Sequence, residues 1–163
     1  MGEKKFCHLH LHTEYSLLDG SGKVSKIIKR AKELGMDSIA ITDHGVMYGC
    51  VEFYKQAVDQ GIKPILGCEV YVASKSMYIK QVDKENSTNH LVLLVKNDVG
   101  YQNLMKIVSQ ASIDGFYYKP RVDHEYLKKH SEGIIALSAC LGGEVQSNIL
   151  KDNYDKAKEV ALL

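Results

Sequence analysis

The chain has no long hydrophobic run. No stretch of its 163 residues approaches the roughly 20 apolar residues that span a bilayer. Met1-Gly2-Glu3-Lys4-Lys5 opens without the long apolar segment of a secretory signal. The sequence therefore predicts no membrane partner and a cytoplasmic location. Charge of one sign is missing as well. The 21 Lys and Arg against 20 Asp and Glu leave a net charge of +1, so no global field draws the chain to nucleic acid, and any such contact has to be local. The four cysteines, Cys7, Cys50, Cys68 and Cys140, form no C-x-x-C pair, which argues against a zinc ribbon. In a reducing compartment they are free thiols, and Cys7, Cys50 and Cys68 read as small buried hydrophobes. Internal repeats and low-complexity tracts are absent. What is there, 45% hydrophobic and 25% charged residues, fits one soluble domain with a proper core.

Against this background one stretch stands out, Phe6-Cys7-His8-Leu9-His10-Leu11-His12-Thr13, followed by Leu17-Leu18-Asp19-Gly20. Alternate side chains of a strand share a face. A strand over residues 6–12 thus points three imidazoles one way, about 7 Å apart in steps of two residues, and two leucines the other. Imidazole is the commonest metal ligand among side chains. A lone histidine on a strand is more often its polar residue; three in register, with Asp19 across a tight turn, predict a metal site.

Further along, Val24, Ile27, Ile28, Ala31 and Leu34 recur at helical spacing, with lysines on the wet face and Gly35 as the stop. Residues 37–42 read as a buried strand ending in Asp43-His44-Gly45. A helix over 48–60 is predicted, with Val51, Tyr54 and Val58 inside and Gly61 as its end. Residues 62–73 form a third strand, whose first half Pro64 and Gly67 distort. Residues 74–89 are polar and irregular, a mobile surface loop or short hairpin. A strand over 90–96, a helix over 99–111, an aromatic and basic loop over 115–121, a helix capped by Asp123, a strand over 134–138 and a last helix from Asp152 complete the reading. Strands and helices alternate about five times, which predicts an α/β fold with a mainly parallel sheet.

The candidate ligands recur in equivalent places. His10 and His12 close the first strand, Asp43-His44 follows the second, Glu69 lies late in the third and Cys140 follows the fifth. Active sites of α/β folds gather at the carboxyl ends of parallel strands. His90 begins its strand and fits less neatly. Imidazole, carboxylate and thiolate together suit zinc, and imidazole with carboxylate also suits manganese or iron. Glu69 has two oxygens and can bridge two ions, which is chemistry for phosphoester hydrolysis.

The runs His10-Leu-His12-Thr13, Thr42-Asp43-His44-Gly45, Gly67-Cys68-Glu69 and Leu137-Ser-Ala-Cys140-Leu resemble the first motifs of the PHP (polymerase and histidinol phosphatase) superfamily. Tyr15-Ser-Leu-Leu-Asp-Gly20, Asp43-His-Gly-Val-Met-Tyr-Gly49, Asn97-Asp-Val-Gly-Tyr-Gln-Asn-Leu104 and Cys140-Leu-Gly-Gly-Glu144 are similar to the PHP domains that open bacterial replicative DNA polymerases. The resemblance covers nearly the whole chain. It implies a distorted seven-stranded relative of the TIM barrel, about five of whose seven βα units are present, with up to three divalent ions at its carboxyl face. His10, His12 and Glu69 would hold one ion, Glu69, His90 and Cys140 a second, and Asp19 and His44 the third. His8 has no ligand role in that pattern. Lys119 and Arg121 are candidates to face phosphate or DNA.

The family's last motif, an Asp-x-His, is absent, and Asp123-His124 has the wrong spacing. Residues 1–163 are thus expected to be the amino-terminal part of a PHP domain from a longer protein, without its polymerase domains. For that parent the resemblance implies DNA replication, a DNA-directed DNA polymerase whose PHP domain is a metal-dependent phosphoesterase of the 3′–5′ proofreading exonuclease kind. DNA and other replicase subunits are the implied partners. The alternatives are a structural module that docks a separate proofreading exonuclease subunit, and a stand-alone phosphatase of a small phosphate ester.

Overall fold

The computed structural model describes residues 6–81 and 88–163. Helices form where apolar spacing and capping agree. α1 (Val24–Glu33) buries Val24, Ile28 and Ala31 and is followed by Gly35 in the left-handed region at φ 72°. α2 (Cys50–Asp59) corrects the predicted face. Cys50, Phe53 and Ala57 are buried, while Val51, Tyr54 and Val58 are half exposed or more. The two sets differ by one residue of phase, and Phe53, fully buried, turns the helix by its size.

β1 (Ser38–Ile41) and β2 (Lys63–Ala73) pair in parallel, Ser38 opposite Lys63 through Ile41 opposite Leu66. β3 (Thr88–Val95) then runs antiparallel to β2, with Gly67 opposite Leu94 through Ala73 opposite Thr88. α3 (Asp98–Ile113) starts at Asn97, whose side chain accepts a hydrogen bond from Gly100 N. β4 (Arg121–Val122) pairs in parallel with Tyr71 and Val72 on the other edge of β2. Asp123 caps α4 (His124–Lys129), as its position in the sequence predicts. β5 (Ile134–Leu137) lies antiparallel to β3, and α5 (Glu144–Ile149) and α6 (Tyr154–Ala161) follow. α5 has only six residues, too few to show a helical period.

The result is a mixed α/β fold with one five-stranded sheet in the order β1-β2-β3-β5, β4 pairing with β2 off this path. The expectation of a mainly parallel sheet is corrected. Direction is a property of pairing, and no helical pattern separates β2 from β3 to carry a parallel crossover. One core cluster packs α1 and α2 on β1, around Ile28, Ile39, Ile41 and Phe53. A second packs α3 on β2 and β3, around Val70, Leu93, Leu104 and Ile107. Met77, 1% exposed, belongs to the second, so residues 74–81 are not merely surface; residues 82–87 of the predicted loop lie outside the described ones.

The first predicted strand, 6–12, is not a strand. Ala40 N donates to His8 O and Thr42 N to Leu11 O, each at 2.9 Å. Partners two apart on β1 thus meet residues three apart on this segment. The extra residue breaks the alternation and separates His8 from His10 and His12. The His8 ring stands edge-on against Phe6 instead, centroids 4.7 Å apart.

Candidate metal centre

Because β3 is antiparallel, its first residues lie at the same end of the sheet as the last residues of β1, β2 and β5. His90 therefore reaches the site from the start of its strand, which resolves its poor fit to a parallel sheet. The chain after β1 continues beside β2 as far as a parallel bridge between His44 and Glu69. The loop after β5 returns to His90, whose N–H donates to Gly142 O at 2.9 Å.

Glu69 is the centre of the cluster, with 1% exposure. Its Oε2 lies 2.7 Å from His10 Nε2 and 2.8 Å from His12 Nε2, and its Oε1 lies 2.8 Å from His90 Nδ1. Cys140 Sγ is 3.6 Å from the same His90 Nδ1. His44 Nε2 meets Asp19 Oδ2 at 2.9 Å. The donors fall into three groups, His10-His12-Glu69, His12-Asp19-His44 and Glu69-His90-Cys140, the atoms of each within 4.8 Å of one another. All seven residues predicted as ligands are brought together. His12 joins two of the groups, which the sequence reading did not foresee.

Electrostatics bind these groups to one another. Burial acts to raise the Glu69 pKa, but hydrogen bonds from His12 and His10 and the nearby imidazole charges outweigh it and bring it down to about 2. The hydrogen bond to Glu69 raises His12 against the opposing effect of burial. Burial lowers His90, and the hydrogen bond from His44 lowers Asp19. The donor set fits a divalent cation on its own chemistry. His10 Nε2 and His12 Nε2 are 3.1 Å apart and face one carboxylate oxygen, so three atoms able to ligate a cation converge on one point. His44 Nδ1 is buried without a hydrogen-bond partner among the described residues, Glu69 Oε2 being 3.5 Å away.

A scaffold of buried polar groups holds the loop that carries His12 and Asp19. Asp43, 1% exposed, accepts from Thr13 N at 2.6 Å, Thr13 Oγ1 at 2.7 Å and Ser16 Oγ at 2.7 Å. Ser16 O accepts from Gly20 N at 2.7 Å, and a Cβ on Gly20 would stand 1.8 Å from Thr13 O. Ala139, just before Cys140, has φ 61°, a conformation costly for a residue with a Cβ. Asp43, read with His44 at a strand end, serves this scaffold through both its oxygens; Thr13 and Ser16 were missed as site residues, and their signal was only that they lie beside ligands in the same runs. Tyr71 was missed too. Its ring stacks on His44 at 6.0 Å and meets His90 edge-on at 5.2 Å.

Of the two predicted phosphate residues, Lys119 stays a candidate. It is exposed, with Nζ 4.5 Å from the centre of the Tyr71 ring at the rim of the cluster. Arg121 is corrected. It is 2% exposed, and its guanidinium donates to the carbonyls of Gly115, Met77 and Ile79. It ties the segment before β4 to the one after β2 and does not face solvent. The cavity of about 600 Å³ between β3, β5, α4 and α6 is lined mainly by apolar side chains and reaches the cluster only at His90.

Fold and donor set together define an α/β domain with a candidate polynuclear metal centre at one end of its sheet. The chain belongs to the PHP domain family, whose profile matches residues 8–162. It is 48% identical over 159 residues to DNA polymerase III subunit alpha of Borreliella burgdorferi, covering 97% of this chain and 14% of that protein. The subunit from Helicobacter pylori is 48% identical over 168 residues, with 97% and 14% covered, and that from Thermus aquaticus 48% over 163 residues, with 97% and 13%. The chain thus spans about one seventh of the length of these relatives. Among solved structures it is similar to a putative metal-dependent phosphoesterase from Bifidobacterium adolescentis, TM-score 0.46 and 21% identity, over 64% of this chain and 32% of that one. Among the described residues no helix is long and apolar enough to cross a membrane.

Proposed function

We propose that these residues are the amino-terminal part of the PHP domain of a bacterial replicative DNA polymerase, and that the domain is a metal-dependent phosphoesterase acting on DNA as a 3′–5′ exonuclease. The observation that carries the reading is the position of Glu69. One carboxylate oxygen faces His10 and His12 and the other faces His90, the arrangement of a carboxylate that bridges two ions. His10, His12 and Glu69 would hold the first ion, and Glu69, His90 and Cys140 the second. Asp19 and His44 would hold the third, with His12 in reach. Zinc, manganese and iron are the candidates, thiolate favouring zinc. Divalent ions bound there would supply a water of lowered pKa and positive charge against the phosphate. The chain's own part is to fix the donors through Asp43 and Ser16, and to offer the Lys119 ammonium to an approaching anion. DNA and the other replicase subunits are the partners, in the cytoplasm. In the intact protein, His12→Ala or Glu69→Ala should abolish metal-dependent phosphodiester cleavage, and unchanged cleavage overturns the proposal.

A second reading has its own support. Leu17 and Leu18 are 87% and 103% exposed beside Asp19, on a loop held by internal hydrogen bonds. A fixed apolar pair on the surface suits docking of another subunit, such as a separate proofreading exonuclease, with the metals as structural staples. An intact protein that melts on chelation but has no nuclease activity to lose would select this reading.

A further inference from the structure

We propose that Ser16, clamped by Asp43, is the positioning residue that keeps a hydrogen on Nδ1 of the His12 ring and so makes Nε2 the nitrogen that faces Glu69 and a cation. The proposal rests on the metal reading of the site, but its geometry stands in the protein alone.

A serine hydroxyl has one hydrogen to give and two lone pairs to receive. Ser16 Oγ has three partners: Asp43 Oδ1 at 2.7 Å, His44 N at 3.1 Å and His12 Nδ1 at 3.1 Å. Two assignments follow from donor chemistry. The His44 backbone N–H can only donate, so it occupies one lone pair. The Asp43 oxygen accepts from Thr13 N at 2.6 Å as well, and a carboxylate oxygen only accepts, so it takes the Ser16 hydrogen. The remaining lone pair faces His12 Nδ1, and that contact is a hydrogen bond only if Nδ1 carries the hydrogen.

The opposite arrangement, with Ser16 donating to a bare Nδ1, would leave two oxygens 2.7 Å apart with no hydrogen between them. Asp43 is 1% exposed and Ser16 2%, so water has little access to repair it. Asp43 cannot turn away, because both of its oxygens are engaged by Thr13.

The consequence falls on the other ring nitrogen. With Nδ1 held protonated, Nε2 is the nitrogen that meets the cluster, 2.8 Å from Glu69 Oε2 and 3.1 Å from His10 Nε2. It donates to Glu69 in the metal-free chain, and loss of that one hydrogen leaves the tautomer a metal requires. Without the serine, the neutral ring gains more by moving its hydrogen to Nε2 and donating to Glu69, the form that competes with a cation. The chain therefore selects the ligating tautomer through a carboxylate–hydroxyl–imidazole series, in which the hydroxyl replaces the carboxylate that more often backs a ligating histidine. The same hydroxyl receives the His44 N–H, so it sets the loop of one candidate ligand against the backbone of another.

The test is histidine-ring nitrogen NMR on the 163-residue chain, metal-free and with zinc added. The expected result is a hydrogen on His12 Nδ1 in both states. A bare Nδ1 in either state overturns the proposal. The metal-free spectrum separates the two readings: a chain that binds no zinc yet protonates Nδ1 fails the metal reading and keeps this one. Ser16→Ala should lose the Nδ1–H resonance of His12 and weaken zinc affinity by about 10–100-fold, the usual range for removing the group behind a ligating imidazole. A folded Ser16→Ala chain with wild-type tautomer and affinity overturns it, and should that variant not fold, the wild-type spectra decide alone.

Discussion

Glu69 stays ionised at 1% exposure because imidazoles on three sides favour its charged form more than burial opposes it. Its folded pKa of about 2 lies below the ordinary value of 4.5. A group with a depressed pKa contributes stability that is present above its unfolded value and is lost as pH falls toward the folded one. In the metal-free chain that loss should run from about pH 4.5 down to about pH 2. Glu69→Gln should remove this acid-side dependence, and it should also lower bound zinc, since two of the three donor groups contain Glu69. Urea melts at stepped pH check the first, and elemental analysis of the purified variant the second; parallel acid profiles for variant and wild type would sink the first. At this scale the site was legible because few residue types ligate metals, and His, Glu and Cys at strand ends are rare enough to notice. Ser16 was not legible. Hydroxyls are common in loops, and only coordinates show that one meets a buried carboxylate, an imidazole and a backbone N–H together.

Among the elements, positions along the chain were read better than directions and faces. The helical periods around Ile28 and Leu104 and the caps at Gly35 and Asp123 are local signals, and they hold. The orientation of β3 is not local. It depends on what joins β2 to β3, and the polar stretch after Ala73 carried the hint in having no helical period. The face of α2 depends on one bulky residue, Phe53, against three smaller or amphipathic ones out of phase. The pairing of α4 with α5 was likewise out of sight, because α5 was. His124 Nε2 lies 2.7 Å from Glu144 Oε2, an ion pair that joins these helices. The hydrogen bond that His124 donates to Glu144 raises His124 and lowers Glu144. The His124 contribution is complete below its ordinary 6.5 and is lost as pH rises through its raised folded value. The Glu144 contribution is complete above its ordinary 4.5 and is lost as pH falls through its lowered one. The pair therefore stabilises most between about pH 4.5 and 6.5. The difference in Tm between wild type and Glu144→Gln, measured in chelator, should peak in that window and narrow on both sides. A difference that stays level from pH 4 to 8 would show that the helices are joined by packing alone.

For the molecule as a whole, the candidate ligands come from the segment before α1, the turn after β1, the middle of β2, the start of β3 and the loop after β5. They span the chain from His10 to Cys140, and they converge only when the sheet is paired as observed. An ion held by such a set binds the folded state and has little hold on the unfolded one, so binding energy becomes folding energy. With free ion at a hundredfold excess over Kd, the gain is about 2.7 kcal/mol. For a chain of this size each kcal/mol moves Tm by about 2–4 °C, so zinc should raise the melting temperature by roughly 5–11 °C. Weak binding of zinc to unfolded cysteines and histidines works against the shift, which makes the upper figure a ceiling. A chelator should reverse it, and Glu69→Gln should shrink it, because that carboxylate belongs to both the His10-His12 group and the His90-Cys140 group. A thermal melt with and without zinc decides the matter. If zinc moves wild type and Glu69→Gln equally, the ion sits elsewhere on the chain. If it moves neither, the seven side chains meet for a reason other than metal, and the ionised Glu69 with its ring of imidazoles is then a purely structural knot at the end of the sheet.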